Sequence, residues 1–132
     1  VKNRWLKDSM SMAQQPLNES YKTYQDWSMK MVGLFNKQGV KILAGTDTPI
    51  GFLTPGFSLH KELELLVESG LTPLQALRAA TITPAELFNL EDKMGTVAVG
   101  KFADLVILNN NPLNDIKHTQ DIHAVILKGR IQ

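Results

Sequence analysis

Apolar residues follow a helical period in the first well-patterned part of the chain. Between Glu19 and Gln38 they recur at steps of three and four: Tyr24, Trp27, Met31 and Leu34, joined by Val32 and Phe35. This is the stripe of an amphipathic helix. Gly39 stands where a left-handed residue ends such a helix. The pattern therefore predicts one helix over 19–38, with core packing as the use of its aromatic residues.

A short apolar run comes directly after Gly39. Val40, Ile42, Leu43 and Ala44 predict a short buried strand that delivers Asp47 to the Gly-, Thr- and Pro-rich loop 48–57. Parallel α/β proteins place their chemistry at the carboxyl ends of such strands. Asp47 is therefore the leading candidate for a functional residue. Turn chemistry is the alternative at this point, because an Asp before Thr48-Pro49 is also typical of a turn in which the carboxylate accepts a backbone N–H two residues on.

Three further helices are predicted between residues 58 and 90. Ser58 is a candidate cap for a helix from Leu59 to about Ser69, which Gly70 would end. Thr72-Pro73-Leu74-Gln75 has the pattern of a capping box with proline in the first helical turn, and Thr83-Pro84-Ala85-Glu86 repeats it. These signals define structure and leave function open.

The pattern becomes β-rich after about Glu91. Three runs favour strands: Thr96–Val99, Leu105–Leu108 and Ile122–Leu127, the last ended by Lys128-Gly129. The chain thus passes from α/β units to a small sheet, and we place the boundary near residues 90–95. A length of 132 residues suits one core, not two ordinary domains.

Composition narrows the function classes. Hydrophobic content of 43% with 20% charged residues is typical of a globular protein, and a net charge of +1 disfavours nucleic acid and anionic membranes as partners. The longest apolar runs are too short to cross a bilayer. Zero cysteines fit a reducing cytoplasm, which is the expected location. The start at Val1 hints at a piece of a longer protein, although processing could produce it too.

Five motifs in a fixed order carry a family resemblance. They are Ala44-Gly45-Thr46-Asp47, Ser58-Leu59-His60-Lys61-Glu62-Leu63, Gly70-Leu71-Thr72-Pro73-Leu74-Gln75-Ala76-Leu77 with Ala79-Ala80-Thr81, Gly95 with Gly100-Lys101-Phe102-Ala103-Asp104-Leu105-Val106, and Asn111-Pro112-Leu113 before Asp115-Ile116. Over about residues 32–130 the chain resembles the C-terminal part of a metal-dependent amidohydrolase. The likeness is to the imidazolonepropionase-like and prolidase-like branch.

The resemblance implies an α/β fold: the last part of a (β/α)8 TIM-type barrel over 1–92, followed over 93–132 by strands of a small composite β-sandwich domain. Val40 to Thr46 would be the eighth barrel strand. Asp47 would then be the aspartate that binds a divalent metal, zinc by first expectation, and acts as general base toward the metal-activated water. A divalent ion lowers the pKa of bound water to about 7, so hydroxide exists at neutral pH.

Most of the implied metal ligands are missing from this chain. Catalytic zinc sites use about three protein ligands, and the family takes the others from earlier strands, including a His-x-His pair. The chain has only His60, His118 and His123, and no such pair. This C-terminal portion alone should therefore be inactive, and it need hold no metal by itself.

Other polar residues are candidates for substrate binding or are expected to be structural. His60, at the start of a helix after the Asp47 loop, is a candidate substrate-binding residue, with solvent exposure as the equal alternative, and Thr48 is the second candidate. His118 and His123 are expected to be structural. Glu62 and Glu64, beside Lys61, are expected on a solvated helix face.

The expected function is hydrolysis of a C–N bond in an amide, dipeptide or cyclic amide. The expected partners are a small-molecule substrate and the remainder of the chain's own barrel, with no nucleic acid and no membrane. The alternative is a non-catalytic binding or scaffold protein on the same fold. Substrate, metal identity and oligomeric state lie beyond the sequence.

Overall fold

The computed structural model describes residues 18–48 and 53–132. The weakly patterned segment 1–17 and residues 49–52 of the predicted loop lie outside that range. The elements in chain order are α1 (Glu19–Lys37), α2 (Phe57–Glu68), α3 (Pro73–Ala79), α4 (Ile82–Leu87), β1 (Leu105–Leu108), a 3-10 helix (Ile116–Gln120), β2 (Ile122–Leu127) and β3 (Arg130–Ile131). Within the described ranges, no helix has the length and apolar character needed to cross a membrane.

Helix α1 confirms the predicted helix. The prediction that its aromatic residues pack in the core is wrong for the described part of the chain, because Tyr24, Trp27 and Phe35 are all exposed there. Asn18 caps it by accepting the backbone N–H of Ser20 at 3.1 Å. The helix ends before Gly39, which has a φ of 76° and so takes the left-handed conformation that the sequence predicted. Gly33 is buried, and the backbone of Ser69 at the C-terminal end of α2 packs directly against it.

Residues 40–46, the extended segment, lead up to the left-handed Asp47 without helix or turn, yet they are not a strand of any sheet in the described part of the chain. The prediction of a buried strand is wrong in that sense. Ile42 and Ala44 pack against the core, whereas Val40 and Leu43 are 50% and 37% exposed. The alternation is that of a strand with one covered face. A ladder needs a neighbouring strand, and the backbone N–H of Ala44 instead donates to the carbonyl of Ala79, at 2.9 Å.

The first of the two proline-containing caps forms as predicted. The backbone N–H of Gln75 donates to Thr72 Oγ1 at 3.2 Å, and the backbone N–H of Thr72 donates to Gln75 Oε1 at 2.8 Å. This reciprocal pair satisfies two N–H groups at the start of α3. The amide of Gln75 also donates to Asn36 Oδ1 at 3.1 Å, which ties α3 to the end of α1.

The other two predicted helix starts are each wrong by two residues, since the helices begin at Phe57 and Ile82. Helix α2 is preceded by Gly56 at a φ of 80°, and the hydroxyl of Ser58 accepts the backbone N–H of Thr54 at 2.7 Å. Helix α4 follows Thr81, whose hydroxyl donates back to the carbonyl of Leu77 at 2.8 Å. The short turn between α3 and α4 therefore starts the second helix before Thr83 can serve as its cap.

The core lies between the helices and the 3-10 helix. Its buried members are Leu63, Leu66, Leu71, Ala76, Ala79 and Ile116. Ile116 comes from the β-rich half, so that half packs on the helical part of the chain. Residues of the 40–46 segment also reach this core, as do α1 residues such as Val32. The core therefore fixes the extended segment relative to α2 and α3.

The C-terminal sheet is antiparallel with the order β1-β2-β3. Leu105 pairs with Ile126 and Ile107 with Ala124, and the register shifts between Ile107 and Leu108. The strands predicted over 105–108 and 122–127 are confirmed. The strand predicted over Thr96–Val99 is wrong: Val97 and Val99 are fully or nearly fully exposed, so nothing covers their apolar side chains. Strand β3, after the Lys128-Gly129 turn, was not predicted.

Asp121 clamps the loop after β1. Its carboxylate accepts the side-chain amide of Asn109 at 2.7 Å and that of Asn110 at 2.6 Å. The backbone N–H of Asn109 also donates to the carbonyl of Asp121, at 2.9 Å. The two amide donors are the main cause that lowers the pKa of Asp121 below its ordinary value.

The clamp predicts an acid-sensitive contribution to the stability of the sheet. Because the folded-state pKa is lowered, the stabilisation is present above the ordinary Asp pKa of about 3.9 and is lost as pH falls through the folded-state value. We expect the free energy of unfolding of Asp121→Asn to fall less steeply with decreasing pH in this range than that of the wild type. Urea denaturation between pH 2 and pH 6 measures it, and an unchanged acid slope in the variant would contradict the assignment.

Candidate functional site

Asp47 ends the extended segment in a left-handed turn. Its φ is 52° and its side chain is exposed. Asp adopts this conformation more readily than most residues. The simple turn alternative loses its usual bond, because the residue two positions on is Pro49, which has no backbone N–H. Beside it, the hydroxyls of Thr46 and Thr48 lie 3.4 Å apart, and Thr48 is half-buried.

Glu62 connects helix α2 to the segment that carries Asp47. Its Oε1 accepts the backbone N–H of Gly45 at 3.4 Å, a long hydrogen bond, and the residue is half-buried. The expectation of a purely solvated face is therefore wrong for Glu62. The bond fixes the backbone two residues before Asp47, and sequence spacing gave no sign of it.

Glu64 also has specific partners. It accepts Lys61 Nζ at 3.0 Å and Gln120 Nε2 at 2.8 Å, and its side chain is only 12% exposed. The hydrogen bond to Glu64 is the main cause that raises the pKa of Lys61. Glu64 thus ties α2 to the 3-10 helix and is not a freely solvated charge, contrary to expectation.

His60 lies in the first turns of α2 and is half-buried. Its Nδ1 is 3.0 Å from Thr119 Oγ1 on the 3-10 helix, and its ring meets Phe57 edge-on at a centroid distance of 6.3 Å. Thr119 is itself buried, at 7% exposure. The residue is therefore anchored to the C-terminal half of the chain. Fifty-nine positions separate the pair, so no local sequence pattern could have indicated it.

The other two histidines of the chain lie in the C-terminal half. His118 holds its Nδ1 at 2.9 Å from the carbonyl oxygen of Asn111, which fixes the loop before the 3-10 helix. His123 is an exposed residue of β2. The structure brings neither of them into a metal-binding group with Asp47.

The described residues do not hold a complete set of metal ligands around Asp47. Across 18–48 and 53–132, no three His, Cys, Asp or Glu side chains come together in a way that could hold a metal ion. The carboxylate of Asp47 has the oxygen donor chemistry that divalent ions accept. Any metal held by Asp47 therefore needs further ligands from outside these residues.

A shallow cavity of about 240 Å³ lies at the other end of the extended segment. Val40, Lys41, Ile42, Gln75 and Arg78 are among its lining residues. It includes none of the predicted site residues Asp47, Thr48 and His60. Lys41 is committed to an ion pair with Glu86 at 2.7 Å. This cavity is therefore separate from the candidate site.

Comparison with known proteins gives a consistent set of relatives. Ochratoxinase of Aspergillus niger is 41% identical over 91 residues, which is 67% of this chain and 18% of the relative. An adenine deaminase of Clostridium botulinum (strain Loch Maree / Type A3) is 30% identical over 90 residues, 68% of this chain and 14% of the relative. A crystal structure of a Xaa-Pro dipeptidase with bound methionine in the active site superposes with a TM-score of 0.71 at 34% identity, covering 79% of this chain and 25% of that one.

The chain thus spans less than a fifth of the length of these two curated relatives and a quarter of the solved dipeptidase chain. The profile of the amidohydrolase family matches residues 9–132, which is nearly the whole sequence. The resemblance found in the five motifs is confirmed, including its prolidase-like side. The chain belongs to the amidohydrolase family.

Proposed function

We propose that the full-length protein is a metal-dependent hydrolase of C–N bonds in an amide, dipeptide or cyclic amide, to which this chain contributes Asp47. The observation that carries the proposal is the position of Asp47: an exposed carboxylate in a left-handed turn, at the end of an extended segment fixed by the core. Family membership supports the reaction class.

The proposed architecture places residues 40–46 as the eighth strand of a (β/α)8 barrel. The segment supports this role because it is extended and packs one face, with Ile42 and Ala44, against the core. Val40 and Leu43 on the other face are exposed and available to neighbouring strands. The remainder of the barrel would supply the neighbouring strands. We keep 1–92 as the barrel part and 93–132 as strands of a small composite β domain.

Asp47 acts as the proton carrier of the proposed reaction. Its carboxylate accepts a proton from the attacking water and returns it to the leaving nitrogen. A bound divalent metal, with zinc the first expectation, would make hydroxide accessible at neutral pH. Glu62 accepts the backbone N–H of Gly45 and so helps to hold the backbone two residues before Asp47. Since the described residues bring no group of three potential metal ligands together, the isolated chain is expected to be inactive.

The substrate is proposed to be a small molecule. The relatives bear the names ochratoxinase, adenine deaminase and Xaa-Pro dipeptidase, and all three point to small substrates. Thr48 adjoins Asp47 directly, and His60 follows in the next helix. We assign both as substrate-binding residues, with the 48–57 loop shaping the rest of this side of the site.

Metal analysis and turnover of the full-length protein test the proposal. We expect a bound divalent metal, hydrolysis of Xaa-Pro dipeptides or N-acyl amino acids, loss of activity on chelation, and recovery with zinc. The 132-residue chain serves as the inactive control. A metal-free full-length protein without turnover on such substrates would contradict the proposal and favour a binding or scaffold role.

A further inference from the structure

His60, a proposed substrate-binding residue, contacts the buried hydroxyl of Thr119. The Nδ1 of His60 is 3.0 Å from Thr119 Oγ1, and Thr119 Oγ1 is 2.9 Å from the carbonyl oxygen of Ile116. Thr119 is 7% exposed and Ile116 is 5% exposed. Water therefore has little access to the hydroxyl, whose single proton must go to one of these two partners.

The proton count favours one arrangement. A carbonyl oxygen only accepts, whereas an imidazole nitrogen can donate or accept according to its tautomer. If the Thr119 hydroxyl donates to Ile116, both contacts are satisfied once His60 Nδ1 carries a hydrogen and donates to Oγ1. If the hydroxyl donated to His60 instead, no hydrogen would remain between Thr119 Oγ1 and the carbonyl oxygen of Ile116, and that hydrogen bond would be lost. The first arrangement keeps both hydrogen bonds in a buried place where an unmade bond is costly.

We propose that Thr119 is a positioning residue that holds neutral His60 as the Nδ1–H tautomer, so that Nε2 accepts a hydrogen bond from an N–H or O–H group of the substrate. The substrate contact of Nε2 rests on the proposed function, whereas the tautomer of His60 does not. A second contact steadies the same junction, because Glu64 of α2 accepts the amide of Gln120, the next residue after Thr119. The C-terminal half of the chain thus sets the chemistry of a residue on the helix that follows Asp47.

Nitrogen NMR of the full-length protein with ¹⁵N-labelled histidine rings tests the tautomer at alkaline pH, where imidazoles are neutral. We expect the His60 signals, identified by their loss in His60→Gln, to show a protonated Nδ1 and an unprotonated Nε2. His118 is the internal control, since its Nδ1 faces the carbonyl of Asn111 and must donate. A His60 spectrum with protonated Nε2 would overturn the proposal, and this readout needs no catalytic activity.

A pair of variants then tests the role of the hydroxyl. Thr119→Val keeps the shape and removes the acceptor, so His60 should move to a tautomer mixture and the KM should rise about three- to tenfold with little change in kcat. Thr119→Ser should restore both the spectrum and the KM. An unchanged tautomer and KM in Thr119→Val would refute the positioning role. Absence of turnover in the wild type, with the NMR pattern as expected, would instead count against the proposed function alone.

Discussion

Replacing Asp47 by Asn in the full-length enzyme should lower kcat by about 10²–10⁴-fold, since general acid–base catalysis contributes that much. Loss of the negative charge should also weaken metal binding, because a ligating carboxylate must be ionised. Steady-state kinetics and metal content per chain measure the two effects. The fold should survive, as circular dichroism would show.

Asn is the suitable replacement because of the backbone at this position. Asp47 has a φ of 52°, a conformation that Asn tolerates as well as Asp does, whereas Ala would add strain of about 1–2 kcal/mol. Asp47→Asn thus separates chemistry from folding better than Asp47→Ala. The matched control is Asp92→Asn in the exposed turn after α4, which should leave kcat unchanged. Normal turnover in Asp47→Asn would remove Asp47 from the mechanism.

Gly33→Ala should destabilise the protein although alanine is the better helix former. A Cβ on Gly33 would lie 2.3 Å from the carbonyl oxygen of Ser69. Helix propensity favours Ala over Gly by about 1 kcal/mol, but overpacking typically costs about 1–3 kcal/mol. The obstructing atom belongs to the backbone at the end of α2, so no side-chain rotation relieves the contact. We expect a net loss of up to about 2 kcal/mol in the free energy of unfolding.

Urea denaturation of the full-length protein measures the effect of Gly33→Ala. Ser28→Ala, on the same helix, is the control: Ser28 is half-buried, and its hydroxyl donates back to the carbonyl of Tyr24 at 2.8 Å within the helix. That substitution should be neutral or slightly stabilising because Ala is the better helix former. A Gly33→Ala variant as stable as Ser28→Ala would show that α1 does not pack this closely on α2.

Local sequence signals predicted the elements that local interactions hold. Helix α1 follows its apolar period and stops at Gly39, and the reciprocal cap of α3 forms between residues only three positions apart. Strands β1 and β2 follow their β-branched and aliphatic runs. For the helices, the deciding contacts lie within one or two turns. For the strands, the amino-acid composition of the segment itself was the signal.

Predictions failed where a neighbour, or its absence, decided the outcome. Thr96–Val99 has strand composition but no partner strand and remains exposed among the described residues. Residues 40–46 have strand periodicity, yet the Ala44 N–H bonds to the end of α3. Thr83 lost its cap role because the turn at Thr81 begins α4 earlier. Strand propensity is a property of a single segment, whereas the hydrogen bonds of a sheet need a second segment beside it.

The sequence by itself determined the family, because the order of the motifs is a property of the chain alone, and the same reasoning made Asp47 the candidate carboxylate of the proposed site. Only the tertiary structure decided what surrounds them. It placed Asp47 in a left-handed turn, joined Glu62 to Gly45, and set His60 against Thr119 across 59 positions of sequence. The physical reason is that side-chain hydrogen bonds between distant segments depend on packing of the core, which no local pattern encodes.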